Sequence, residues 1–135
     1  MKLVVLLSFM LSCAHAPKSE ECKNPTQEVK LTKSQAEKIQ GKVSQFLSDA
    51  KVTGEPLGEE NKFIWRFTNM PEDSVYHEIG LRNGDGVYRT NLGEQKSSLN
   101  LISDLSGIAS GTTDCLYVKT KENVEKIIHI QLEPR

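Results

Sequence analysis

The side chains of this sequence that could do chemistry are its histidines, its cysteines and a few hydroxyl and carboxylate groups. His15, His77 and His129 lie far apart, and none has the spacing to a cysteine or carboxylate that a metal site needs. Ser74 has no neighbouring pattern that would activate it as a nucleophile. Glycine motifs that hold phosphates or dinucleotides are also lacking. The sequence therefore predicts no catalytic residue, no metal site and no cofactor.

Cys13 has a different role, which its position in the chain indicates. A lysine at position 2 precedes the apolar run 3–11, which is far shorter than the roughly 20 residues of a membrane-spanning helix. A charged start, a short apolar stretch and small residues are typical of an export signal. Residues 10–13, Met-Leu-Ser-Cys, have the pattern of a bacterial lipoprotein cleavage site. We therefore expect a signal peptide at 1–12 and lipid attachment at Cys13.

A second cleavage site is compatible with the same segment. Residues 14–16, Ala-His-Ala, have the A-x-A pattern of ordinary signal peptidase, although Pro17 would follow the cut. The first interpretation gives a lipid-anchored protein and the second a secreted one, while a segment that stays uncleaved would itself remain as an anchor. Ala14 directly after the anchor, where a retention signal would have Asp, favours the outer membrane over the inner one. Either interpretation places the chain in a compartment that permits disulfides.

Cys22 and Cys115 are then the remaining cysteines, and their even number permits a disulfide. The sequence leaves two alternatives open. Cys115 can be a small core residue, and Cys22 can pair with another chain.

Composition limits the partners of the protein. The chain has 135 residues, of which 37% are hydrophobic and 26% charged, and its formal net charge is -1. Such values fit one soluble globular domain. Nucleic-acid binding needs a basic surface that this chain lacks. We expect a protein partner, contact with a membrane through the lipid, and neither nucleic acid nor a small-molecule substrate.

The elements follow from hydrophobic periodicity and turn signals. Residues 13–30 are polar and aperiodic, and predict a lipid anchor with a flexible tether. A capping-box pattern, Ser34 to Glu37, opens a predicted helix over 33–50. Its apolar face has spacings of three and four and comprises Ala36, Ile39, Val43, Phe46, Leu47 and Ala50. A loop is predicted at 54–58.

The rest of the chain alternates short strands and helices. The sequence predicts strands near 63–68, 87–89, 115–119 and 128–132. A short helix precedes Gly80, and a second helical stripe runs through Leu99, Ile102, Leu105 and Ile108. Short strands with helices packed on them predict an α+β domain.

The segment 74–85, SVYHEIGLRNGD, resembles PDZ domains of bacterial envelope proteins, in particular that of the C component of type II secretion systems. The resemblance covers about residues 28–133 and implies a PDZ-like domain over 31–133. Its expected form is a small antiparallel β-sandwich or partly open barrel with two helices, preceded by the helix 33–50. In the most specific part, Leu81 enters the core, Gly84 permits a positive φ and Asp85 hydrogen-bonds local backbone.

The sequence departs from that family in three places. The transmembrane helix and the additional periplasmic domain of the secretion component are missing, and the predicted lipid anchor stands in their place. One residue is inserted in the Asn-Gly turn, which here is Asn91-Leu92-Gly93. Ile64-Trp65 replaces the family's Gly-Phe at the start of the groove strand.

The resemblance implies a peptide-binding groove, in which an extended segment adds to a sheet edge beside a helix. The edge strand is expected at 64–67 and the helix at 98–105. The groove residues expected in this way are Ile64, Trp65, Arg66, Phe67, Leu101 and Leu105. Trp65 can equally be a core residue, and for Leu101 core packing is favoured over groove lining. Because a β-branched Ile64 disfavours the amide-presenting loop that grips carboxylates, free carboxyl termini should bind poorly.

The function implied by the resemblance is that of a non-catalytic lipoprotein of the bacterial cell envelope, facing the periplasm. It would be a protein–protein interaction module in, or derived from, a type II secretion assembly. The alternatives are a PDZ-type regulatory or substrate-binding partner of an envelope protease, and a structural lipoprotein with a vestigial groove.

Overall fold

The computed structural model describes residues 20–49, 51–58, 62–71 and 73–133, without the side chains of residues 44–49 and 51. The predicted signal peptide and Cys13 lie outside the described residues. The elements are β1 (Gln27–Leu31), α1 (Lys33–Asp49), β2 (Lys51–Pro56), β3 (Phe63–Thr68), α2 (Val75–Glu78), β4 (Gly86–Thr90), β5 (Gly93–Glu94), α3 (Ser98–Ser106), β6 (Cys115–Lys119) and β7 (Glu125–Leu132). None of the helices in this part of the chain is long and apolar enough to cross a membrane.

The strands form a seven-stranded sheet in the order β1-β7-β6-β4-β3-β2, with β5 paired to β4. The predicted α+β class is confirmed. The sheet is mixed and not antiparallel throughout, because β1 runs parallel to β7 while the other neighbours are antiparallel. The strands predicted near 63–68, 87–89, 115–119 and 128–132 are all present as β3, β4, β6 and β7.

The core is built where apolar residues of the helices meet the sheet. Ala36, Ile39 and Val43 of α1 are buried, as their periodicity predicts. Phe46, Leu47 and Ala50, the remaining members of that predicted face, lie outside the described side chains. The α1 helix packs against α3, and Tyr76 of α2 donates to Ile39 O at 3.3 Å. Burial raises the pKa of this phenol well above its ordinary value.

The cap of α1 differs from the predicted one. Thr32 Oγ1 accepts from Gln35 N at 3.1 Å, while Gln35 Oε1 accepts from Thr32 N at 2.8 Å. These reciprocal bonds form a capping box. The prediction from Ser34 to Glu37 is wrong because α1 begins at Lys33, so that Thr32 is the residue that must cap its free amides.

The segment predicted as a flexible tether is ordered over the part that the structure describes. Its last residues form β1, in which Gln27 to Leu31 pair with Ile128 to Leu132 of β7. Before β1, Glu20 N donates to Asn91 O at 2.7 Å, and Thr26 N donates to Ile127 O at 2.8 Å. The prediction of a tether through residue 30 is therefore wrong for residues 20–30.

The turn before β4 has the predicted arrangement. Leu81 is fully buried, Gly84 has a φ of 91°, and Asp85 Oδ2 accepts from Arg82 N at 2.9 Å. The same oxygen also accepts from Lys126 Nζ of β7 at 2.8 Å. The turn is thus fixed both locally and by a cation 41 residues further along the chain.

Candidate protein-binding edge of the sheet

The structure places the predicted groove strand inside the sheet. All six residues of β3 are paired with β2 on one side, and β4 pairs on the other. The prediction that residues 64–67 form an edge strand is therefore wrong, because the edge is one strand further out, at β2. Four of the six predicted groove residues are buried to 3% exposure or less: Ile64, Phe67, Leu101 and Leu105. Phe67, Leu101 and Leu105 belong to the main hydrophobic core.

Trp65 is half-buried and packs against the hydrophobic core. Its ring lies over Gly54, directly opposite on β2, where an added Cβ would come within 2.6 Å of the ring. Phe63 contributes a second ring, 5.6 Å from that of Trp65 between centroids. The indole nitrogen is buried and has no hydrogen-bond partner. The tryptophan thus serves as a core residue that extends to the edge strand.

Arg66 lies on the opposite face of β3 and is bound within the protein. One guanidinium nitrogen donates to the carbonyl oxygens of Gly84, Lys119 and Thr120 at 3.0–3.1 Å. The second donates to Asn123 Oδ1 at 2.8 Å. The side chain is only 17% exposed. Arg66 therefore joins β3 to the β3–β4 and β6–β7 connections, and most of its hydrogen-bonding capacity is used inside the fold.

A shallow polar depression of about 690 Å³ surrounds Arg66 on this outer face. Carboxylate, ammonium, amide and hydroxyl groups line it, so that it carries no single sign of charge. Besides Arg66 and Gly84, its lining consists of Thr53, Glu55, Thr68, Asn69, Asn83, Lys121 and Asn123. Such a surface suits hydrogen bonding to a polypeptide better than burial of an apolar ligand.

The direction in which the amide and carbonyl groups of β2 point follows from the direction of the same groups in β3. Phe67 N donates to Asp85 O, and Phe67 O accepts from Gly84 N, so the backbone groups of Phe67 point towards β4. In an antiparallel pair, opposite residues alternate between those that exchange bonds and those whose groups point away. Val52 lies opposite Phe67. Its amide and carbonyl therefore point away from β3.

By the same alternation, Gly54 and Pro56 also direct their backbone groups away from β3. The hydrogen bond at the end of the β2–β3 hairpin fits this alternation. Leu57, the residue after Pro56, directs its amide inward and donates to Lys62 O at 2.9 Å. Within the described residues, no strand pairs with this outer side of β2. Val52 and Gly54 each present an N–H and a C=O there, whereas Pro56 presents only a C=O. This row of groups is an open template for another strand.

The described histidines, His77 and His129, do not come together in a site. His77 lies on α2, and His129 Nδ1 on β7 is 3.5 Å from Glu28 of β1. In the described part of the chain, no three His, Cys, Asp or Glu residues lie close enough to hold a metal ion. Tyr88 donates a hydrogen bond to Glu125. Burial is the main cause that raises the pKa of Tyr88 well above its ordinary value, and this hydrogen bond is the second.

Cys22 and Cys115 are joined by a disulfide, one of the arrangements that the sequence left open. Their Cα atoms are 5.5 Å apart, a usual separation for a bonded pair. The bridge attaches the segment before β1 to the first residue of β6. Cys115 itself is fully buried.

Comparison of the chain with protein-family models, with curated proteins and with solved structures finds no match.

Proposed function

We propose that this protein is a non-catalytic, PDZ-like interaction module on a lipoprotein of the bacterial cell envelope, in or derived from a type II secretion assembly. Its partner contributes an extended segment that pairs with the outer edge of β2. The observation that carries this proposal is the row of outward backbone groups at Val52 and Gly54.

Strand addition fits the chemistry of that edge. Each bonded residue of the incoming segment would exchange an N–H and a C=O with Val52 or Gly54, which gives affinity that depends little on side chains. Pro56 lacks an amide hydrogen and ends the template, so the ladder is short. Selectivity would then come from side chains beside the edge, namely exposed Thr53 and Glu55 on the outer face.

Two features support an extracytoplasmic location. The disulfide between Cys22 and Cys115 is of a kind that persists in oxidising compartments. The sequence before the described residues has the charged start, apolar run and cysteine of a lipoprotein signal.

The binding proposal is tested by photo-crosslinking in intact cells. A photoreactive amino acid at Thr53, on the exposed edge, should capture a protein that the same amino acid at Glu37, exposed on α1, does not capture. A secretion-channel or inner-membrane assembly component would support the assigned role. Capture of a protease would assign the module to regulation of that enzyme instead. Equal, non-specific labelling from both positions would contradict binding at β2.

The anchor is tested separately by Cys13→Ala. Acylation at this residue would bury several hydrocarbon chains, at about 0.8 kcal/mol per methylene, and give stable membrane attachment. The variant should accumulate as precursor or leave the membrane fraction, while a Cys22→Ala control should remain attached. Unchanged membrane attachment of Cys13→Ala would remove the lipoprotein assignment.

A further inference from the structure

We propose that β2 pairs with β2 of a second copy of this chain, in antiparallel orientation, about a twofold axis that passes beside Thr53. The inference rests on the same exposed edge as the proposed function, but it does not depend on the envelope role. The second copy would occupy the edge in the free protein and would have to leave it before an envelope partner could pair there. It names one occupant of that edge from the pattern of β2 itself, Lys51–Pro56.

The backbone of β2 is self-complementary in this register. With Thr53 opposite Thr53, Val52 of each copy lies opposite Gly54 of the other. These are the two residues whose amide and carbonyl groups both point outward. Each can therefore exchange both of its bonds with the partner residue, as the bonded pairs of an antiparallel ladder do. Pro56, which cannot donate, falls outside these pairs.

The charges of β2 are self-complementary in the same register. Lys51 of each copy lies opposite Glu55 of the other, so the interface has two pairs of opposite charge. Opposite charges and Thr–Thr pairs are both favourable across antiparallel strands. Glu55 is 53% exposed in its ion pair with Arg66 at 3.3 Å, which leaves part of its carboxylate accessible to a second cation.

The neighbouring registers lack this complementarity. If the axis passes beside Gly54, Val52 lies opposite Pro56 and loses a donor, and Glu55 lies opposite Thr53. If the axis passes beside Val52, the positions opposite Gly54 and Glu55 precede Lys51, where β2 begins, so Gly54 loses its partner in the ladder and Glu55 loses the opposite charge. Shifts by one residue would place outward groups against inward ones. Of these registers, only the one centred on Thr53 satisfies both the backbone and the charges.

The ladder is short, and such a pairing is expected to be weak on its own. A covalent trap at the axis is therefore the appropriate test. Opposite residues of a non-bonded pair have Cα atoms about 4.5 Å apart, within the range that a disulfide accepts. Thr53 is exposed, so a cysteine there would be accessible. In contrast, the two Glu55 positions of the dimer are four residues out of register, which is roughly 13 Å along the strand.

The experiment uses the full-length chain in cells, with mild oxidation and non-reducing gels. Thr53→Cys should give a disulfide-linked dimer, and Glu55→Cys should give at least about tenfold less, because its partner lies beyond disulfide reach. The parent chain, which retains its native cysteines, controls for their contribution. Equal dimer from both variants, or no dimer from Thr53→Cys above the parent, would overturn the inference.

Charge exchange tests the register independently. In the Thr53→Cys background, Glu55→Lys should reduce the trapped dimer about tenfold, because two attractive pairs become repulsive. Adding Lys51→Glu should restore it, although the Arg66 ion pair stays broken. Failure of this rescue would reject the register. A chain that stays monomeric but still captures another protein from position 53 would refute the inference and leave the proposed function standing. Dimerisation without capture of another protein from position 53 would support the inference and refute the binding proposal.

Discussion

The disulfide between Cys22 and Cys115 should make a large contribution to stability, which Cys22→Ala would remove. The bonded residues are 93 positions apart. For a closed loop of this length, the chain-entropy treatment gives about 4–5 kcal/mol, from the conformations that the cross-link denies to the unfolded chain. A loss of this size would lower the melting temperature by about 15–20 °C in a domain of this length.

Cys22 is the better residue to replace, because its partner Cys115 is fully buried and its substitution would also disturb packing. Other contacts of the same segment should survive in the variant, among them the bond from Glu20 N to Asn91 O. The native fold should therefore remain, and the effect should arise mainly in the unfolded state.

Urea unfolding of the purified protein measures the effect. The variant should lose about 4–5 kcal/mol and show a larger dependence on urea, because its unfolded chain is less compact. Parent protein treated with a thiol reductant is the matched control and should coincide with the variant. If Cys22→Ala unfolds within about 1 kcal/mol of the oxidised parent, the loop-closure argument fails.

Three further predictions concern the interior. Lys126→Met should lower the free energy of unfolding, measured in urea, by about 2–4 kcal/mol, because Asp85, 4% exposed, loses its cation. Adding Asp85→Asn should recover part of this loss, and additive losses would argue against the pairing. Gly86→Ala should lower stability by about 1–3 kcal/mol, since its Cβ would lie 2.6 Å from Ile64 Cγ1; thermal melts of Gly86→Ala, Ile64→Ala and the double variant should reveal favourable coupling, which strict additivity would exclude. Burial raises the pKa of Tyr76 above its ordinary 10.0, so the contribution of this phenol to stability should be constant below that pH and fall above it, as the unfolded phenol ionises. Urea unfolding between pH 9 and 11 should show a smaller fall in stability for Tyr76→Phe than for the parent. Identical pH dependence in the two proteins would contradict this cause.

The elements that the sequence predicted well are those specified by local patterns. The buried face of α1 follows from the spacing of Ala36, Ile39 and Val43. The turn at Leu81 to Asp85 follows from the glycine and aspartate that it requires. In each case, the residues that form the element are adjacent in sequence or one helical turn apart.

Three strands were not predicted, of which β5 has only two residues. The other two, β1 and β2, depend on residues outside their own segments. Gly54 and Pro56 normally interrupt a strand, yet in β2 the ring of Trp65 covers the glycine, and the proline lies where no inward amide is needed. The polar β1 has weak strand character of its own and pairs with β7, about 100 residues away. Neither interaction can be read from a local window.

The same limit explains why the edge strand was misplaced. The resemblance took β3 for the edge, because residues 54–58 were predicted as a loop and the β2–β3 hairpin was missed. The available signal was the pair of consecutive β-branched residues, Val52 and Thr53, before Gly54. It is short, and the glycine and proline outweigh it.

The parallel pairing of β1 with β7 also has a consequence for the order in which the fold is completed. During synthesis, residues 27–31 emerge long before residues 128–132, with which they pair. Throughout that interval Val29 and Leu31 lack their final packing, whereas the β2–β3 hairpin can already form from neighbouring residues. The last step of folding should therefore be the docking of the amino-terminal strand, and a chain truncated before residue 128 should leave that strand without its place in the sheet.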